Sequence, residues 1–114
     1  MERGYFTFER LQAYRVAREV LALYVENRAA FRGVGDVASQ LGSALVSVAG
    51  NLAEGAGRES AADQRRCYVI ARGSANEAAA MIDIASVLGK IAASEAMLSR
   101  LVRVVQMLNA MIRR

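Results

Sequence analysis

The chain has 114 residues, a length suited to one domain with one hydrophobic core. Apolar residues make up 54% of it and proline is absent, so no missing amide donor interrupts a helix, and we expect an all-α fold. Histidine is absent and Cys67 is the sole cysteine. Because this composition excludes intrachain disulfides, the usual zinc clusters and histidine acid–base chemistry, we expect no metal, no cofactor and no enzymatic activity.

The net charge is +4, with fourteen arginines and one lysine. Guanidinium groups suit phosphates and carboxylates, which favours a nucleic-acid partner; the alternative explanation is the arginine bias of a G+C-rich genome. No charge-free apolar run reaches the roughly 18 residues of a membrane span, and the first residues lack a signal-peptide core. We therefore expect a cytoplasmic protein without a membrane partner.

The first half of the chain has the apolar spacing of two amphipathic helices. The first is predicted over residues 8–30, with Thr7 as a weak N-cap. Gly33 is suited to a left-handed C-cap and Asp36 to the N-cap of the next helix. That second helix is predicted over residues 37–56.

The second half of the chain predicts two further helices. Ser60, with Asp63 three residues later, marks the start of a third helix over residues 60–88, and Gly89 marks its end. Small residues recur along this helix at core spacing, so we interpret Cys67 as a buried apolar side chain rather than a nucleophile. Ser94 is expected to cap a fourth helix over residues 95–113. Four helices with short connections predict one domain, residues 1–114, folded as an up-down-up-down antiparallel four-helix bundle.

The segment Ser47–Arg58 places an amide and a carboxylate in an otherwise apolar helix. If Asn51 and Glu54 face the core, each needs a partner, because an unpaired buried polar group costs roughly 1–3 kcal/mol. We interpret them as part of a polar lock, in which Asn51 bonds to Ser74 across two helices and an arginine neutralises Glu54. An oligomer contact and a ligand or metal site that pairs Glu54 with Glu77 are the alternatives. The proposed lock comprises Asn51, Glu54, Arg72, Ser74 and Glu77.

Glycines are frequent around this segment. No lysine followed by serine or threonine accompanies them, so a phosphate-binding loop is not predicted. Gly55 and Gly57 are expected to end the second helix. Gly50 and Gly73 are interpreted as places where helices approach closely.

The arginines are the candidate nucleic-acid-binding residues. They fall on the first helix, around the turn between the second and third helices, and on the fourth helix. For each one, a solvated ion pair with a nearby acid such as Glu9, Glu19, Glu59 or Asp63 is the alternative. The candidates are Arg15, Arg18, Arg58, Arg65, Arg66, Arg100, Arg103, Arg113 and Arg114.

Residues 8–17, Ser47–Arg58 and Ile70–Glu77 carry a family resemblance. They resemble the bacterial four-helix-bundle proteins encoded in intervening sequences of 23S ribosomal RNA genes, a group that includes the accessory variability protein of diversity-generating retroelements. Ala49 stands where this family usually has proline, and Tyr14 stands where tryptophan is common. The resemblance implies a homopentameric ring with a basic surface, on which +4 per chain would become about +20. In the retroelement members it also implies binding to the reverse transcriptase and to nucleic acid.

These observations predict a non-enzymatic, oligomeric helical-bundle protein. Its arginine-rich surfaces are expected to bind structured RNA, DNA or a nucleic-acid-processing partner, mainly through phosphates. The alternative is a scaffold ring that recruits a protein, such as a reverse transcriptase, without binding nucleic acid directly.

Overall fold

The computed structural model describes residues 4–89 and 91–114, and within these ranges the chain is all-α, with no residue in a β-strand. The α-helices are α1 (Gln12–Glu26), α2 (Arg28–Phe31), α3 (Asp36–Gly57), α4 (Ala61–Leu88) and α5 (Ser94–Arg113), with 3₁₀ helices at Thr7–Arg10 and Arg32–Val34. At 1.5 Å per residue, α4 extends about 42 Å. Since the longest dimension of the molecule is 43 Å, α4 runs from one end to the other. No helix in the described ranges has the length and apolar character needed to cross a lipid bilayer.

The four long helices pack side by side: α1 contacts α3 and α5, and α4 contacts the same two helices. Three contacts fix their directions. The Tyr24 hydroxyl, late in α1, donates a 2.8 Å hydrogen bond to the carbonyl of Ala38, early in α3. Gly55, late in α3, lies against the Tyr68 ring, early in α4. Arg72 in α4 donates to Asn109 in α5 across 2.9 Å. Each long helix therefore runs opposite to the one before it.

The core fills the space between these helices. Large aliphatic side chains come from α1, α3 and α5, whereas α4 contributes mainly alanines. Ala71, Ala75 and Ala78 are completely buried, and this row of small side chains lets α4 approach its neighbours closely. Cys67 is also buried, at 2% exposure, as the apolar spacing predicted. The fully buried large side chains are Val20, Phe31, Leu41, Leu45, Val48, Leu52, Ile82, Met97, Leu101, Val104 and Leu108.

The first predicted helix differs from the structure at both ends. Thr7 begins a 3₁₀ turn instead of capping an α-helix, and Leu11 is extended between that turn and α1. Phe8 packs on the Tyr14 ring at a centroid distance of 4.9 Å, which holds this turn against α1. At the far end α1 stops at Glu26, because the Asn27 side chain donates to the carbonyl of Leu23 at 2.8 Å and competes with the helix backbone.

The connection between α1 and α3 also corrects the sequence expectation. Gly33 lies inside a 3₁₀ turn, and Gly35 adopts the positive φ of 59°. The glycine with positive φ comes two residues later than expected, because Phe31 and Val34 are both buried, at 0% and 8% exposure, before the chain turns into α3. Gly35 is therefore the N-cap of α3, and Asp36 is its first residue rather than its cap.

The remaining helix boundaries match the sequence expectation within one residue. The Ser60 hydroxyl accepts a 3.1 Å hydrogen bond from the Asp63 amide and caps α4, and Gly89 is the C-cap. The expected cap at Ser94 is wrong: Ala93 is the N-cap of α5, and the Ser94 hydroxyl has no hydrogen-bond partner in the described part of the chain. The helix starts one residue earlier than predicted, so this side chain lies inside its first turn.

Candidate nucleic-acid interface

The polar residues of α3 and α4 form a link that differs in detail from the predicted lock. Ser47 and Ser74 share a 2.7 Å hydrogen bond between the two helices. The Asn51 side chain donates to the Ser47 carbonyl at 2.9 Å and to its hydroxyl at 3.2 Å. The expected direct bond from Asn51 to Ser74 is thus replaced by a chain of hydrogen bonds through Ser47. The link is half-buried, so water competes with it less than on an open surface.

The other predicted members of the lock lie apart. Arg72 donates to Asn109 and joins α4 to α5. Glu54 is exposed and forms an ion pair with Arg58 one turn later, which raises the pKa of that guanidinium, first through their hydrogen bond and then through the carboxylate charge. Glu77 is exposed and far along α4 from this pair, so Glu54 and Glu77 do not form paired carboxylates. In the described ranges no cluster of acidic or cysteine side chains could hold a metal ion.

Two members of these links were missed in the sequence. Ser47 lies four residues before Asn51, which is the spacing that places two side chains on the same helix face. This spacing is a signal in the sequence that identifies Ser47 as a neighbour of Asn51. Asn109 lies 37 positions from Arg72, and only the packing of α4 against α5 brings them together.

The helix directions collect charge at one end of the molecule. The start of α1, the end of α3, the start of α4 and the end of α5 meet there, and we call this region, residues 4–15, 54–66 and 108–114, the arginine end. It carries seven arginines against four acids, a net +3. Its arginines are Arg10, Arg15, Arg58, Arg65, Arg66, Arg113 and Arg114.

Most of these arginines are not neutralised. Within the described residues only Arg58, with Glu54, and Arg66, with Asp63 at 3.9 Å, have an acid within 4.0 Å. The Arg15 guanidinium donates to the backbone carbonyl of Glu9 at 2.9 Å, which fixes it without cancelling its charge. Of the nine candidates, Arg58, Arg65, Arg66, Arg113 and Arg114 cluster here, and Arg15 stands at the edge of the cluster.

The last three candidates continue along the side formed by α1 and α5. Leu11 and Ile112 line the same cleft, and Glu19 lies 3.5 Å from Arg100. The segments of α1 and α5 between these two pairs therefore lie side by side. Arg18 and Arg103 fall within these segments, and both are exposed. Arg100 is paired with Glu19 and also donates to the Ala96 carbonyl, which leaves it less available than the other two. The helix directions therefore bring all nine candidates into two adjoining groups.

The opposite end of the molecule has the reverse balance. Residues 25–40, 81–89 and 91–97 form it, with Arg28 and Arg32 as its only arginines, and against them stand four acids. This gives a net −2 over those residues, and −1 when Lys90, which follows Gly89 in the sequence, is counted. The acids are Glu26, Asp36, Asp83 and Glu95. The charge of the chain is therefore separated along the helix axes.

The fold and its surface define an all-α protein with no metal cluster in the described residues and with a basic end. A family model described as the 23S rRNA-intervening sequence protein matches residues 9–110. The chain belongs to this family. A comparison with curated proteins finds no match.

Proposed function

We propose that this chain is a non-enzymatic RNA-binding protein that uses its arginine end and the adjoining side of α1 and α5. The charge separation carries the proposal: the arginine end has a net charge of +3 and the opposite end −2, or −1 with Lys90 counted, and most arginines of the basic end lack an acidic partner among the described residues. Unpaired guanidinium groups on one surface attract phosphates and release counterions when they bind them. The family name, which refers to ribosomal RNA, favours RNA over DNA.

We further propose the assembly that the family resemblance implies, an antiparallel four-helix bundle that forms a homopentameric ring. Identical basic ends repeated around a ring would raise the local phosphate affinity without new contacts. Light scattering coupled to size-exclusion chromatography measures the number of subunits directly. A monomer at micromolar concentration would contradict the ring.

The RNA-binding proposal is tested by fluorescence anisotropy with a labelled structured RNA across a salt series. A steep fall in affinity with salt is expected. The double variant Arg66→Glu/Arg113→Glu changes the arginine end at two positions that carry candidate residues. It should weaken binding by about tenfold or more near 0.1 M salt and reduce the salt slope by about two.

The matched control is Arg28→Glu/Arg32→Glu, which makes the same change in net charge at the opposite end. Binding within about twofold of the unmodified chain is expected, because these positions lie far from the basic cluster. Equal losses in both double variants would show that only net charge matters, and the assignment of the surface would be wrong. Circular dichroism confirms that each variant keeps its helices.

One observation favours a second candidate function, the recruitment of a protein. Ile70, Ile84 and Val87 are 46%, 41% and 81% exposed, and their spacing places them along one face of α4. A scaffold ring would use such a face for a protein partner. It would assemble and retain that partner, for example a reverse transcriptase, while leaving the labelled RNA unbound at moderate salt.

A further inference from the structure

A cleft of about 380 Å³ opens at the arginine end, between the first turns of α4 and the last turn of α5. Leu11, Met111 and Ile112 supply an apolar wall. Gln64, Arg65, Tyr68 and Arg114 supply polar groups, and the first helical residues Ala61 and Ala62 complete the lining. An apolar wall with a few converging polar groups is typical of a small-molecule site, and the volume falls in the range of such sites.

Tyr68 is the most enclosed polar side chain of the cleft. Only 8% of it is exposed, and its ring packs against Gly55, where a Cβ atom would lie 2.6 Å from the ring. Its hydroxyl makes no hydrogen bond within the described ranges, and its oxygen is not fully enclosed, so it is open to the cleft. Burial raises the pKa of the phenol, so it keeps its proton at neutral pH and offers a donor. Because Tyr68 lines the cleft, its hydroxyl is free to donate to a ligand oxygen.

The charges around Tyr68 select the ligand. Arg65 and Arg114 line the same cleft as Tyr68. Neither Arg65 nor Arg114 has an acid within 4.0 Å among the described residues. The helix α4 begins at this cleft, and the amides of Ala61 and Ala62 have no hydrogen-bond acceptor in the described ranges, whereas those of Asp63 and Gln64 donate to the hydroxyl and the carbonyl of Ser60. The carbonyl groups at the end of α5 oppose an anion, and the two terminal arginines offset their partial charge.

We propose that the cleft binds a phosphate monoester carried by a nucleoside, as at the phosphorylated end of an RNA strand. Two guanidinium groups match the two negative charges of a monoester, whereas a phosphodiester within a strand carries one. The Tyr68 hydroxyl donates to a phosphate oxygen, and the apolar wall contacts the sugar or base. This assignment rests on the proposed RNA-binding function and adds to it a preference for a strand end.

The experiment compares two copies of one short labelled RNA, identical except for a 5′-phosphate or a 5′-hydroxyl, with a 3′-phosphorylated copy as a third arm. Tighter binding of one phosphorylated copy, by about tenfold, is expected, since hydrogen bonds to a charged group are worth more than neutral ones. Competition with adenosine monophosphate distinguishes binding of a strand end from binding of a free nucleotide. If adenosine monophosphate displaces the phosphorylated RNA at equal concentration, the free nucleotide is the source of the monoester.

Tyr68→Phe removes only the hydroxyl and should reduce the preference for the phosphorylated copy. Tyr24→Phe, which removes a hydroxyl at the opposite end, should keep the preference. Arg65→Gln should reduce it, and Arg32→Gln should not. If the unmodified chain binds all RNA copies equally, the cleft assignment is wrong and the proposed function stands. If it binds none of them at low salt, both are wrong.

Discussion

The two ends of the molecule are built from the same four long helices but close in different ways. At the opposite end nine residues join α1 to α3, and Phe31, Val34 and Ile91 fold inward beneath the helix ends with at most 8% exposure. At the arginine end α3 and α4 are joined by three residues, and a cleft remains open beside Tyr68. The buried apolar side chains hold the helices together at one end, whereas the cleft and the surface that we propose for binding lie at the other.

The largest expected effect on stability is at the opposite end. Phe31→Ala removes a side chain with 0% exposure and should lower the free energy of unfolding by about 3–5 kcal/mol. Urea denaturation followed by circular dichroism measures it. The control at the arginine end is Phe6→Ala, which removes an aromatic ring that is 48% exposed and should cost less than about 1 kcal/mol. Similar losses in both variants would mean that the two ends contribute equally to stability.

The next effect concerns the wall of the cleft. A Cβ atom at Gly55 would lie 2.6 Å from the Tyr68 ring, so Gly55→Ala must displace a packed side chain and should cost about 1–3 kcal/mol. Gly50→Ala is the matched control in the same helix, because no atom lies within 4 Å of its Cβ position. The expectation of a close helix approach at Gly50 and Gly73 is therefore wrong. The control variant should stabilise the chain by up to about 1 kcal/mol through helix propensity. Thermal denaturation compares the two, and a gain in both would contradict the close approach at Gly55.

The smallest effect is a dependence on alkaline pH. Burial raises the pKa of Tyr68 in the folded chain above its ordinary value of 10.0. The stability linked to this group is complete below pH 10.0 and is lost as the pH rises through the folded pKa, because the unfolded chain releases the proton first. The unmodified chain should therefore lose stability relative to Tyr68→Phe above pH 10.0. Urea titrations at pH 8 to about pH 11 measure this difference, and an equal loss of stability in both chains would contradict it.

Much of the secondary structure was predictable from local patterns. The spacing of apolar residues located α3 and α4 within a residue, and the Ser60 cap followed from a hydrogen bond within one turn. The largest error lies between the first two predicted helices. The helix α1 ends at Glu26, and short turns follow it because Phe31 and Val34 are buried between helix ends, a requirement that no local pattern contains.

The contacts of the candidate site can likewise be divided into those that the sequence predicts and those that depend on packing. The sequence by itself determined the all-α class, the number of arginines and the Glu54–Arg58 pair, since residues four apart on a helix meet without help from the rest of the chain. Only the tertiary structure decided that Ser47 joins Asn51 to Ser74, that Arg72 meets Asn109, and that arginines from four separate segments gather at one end. Those contacts depend on which helices are neighbours and in which direction each one runs. Such information is a property of the packed chain rather than of any local segment.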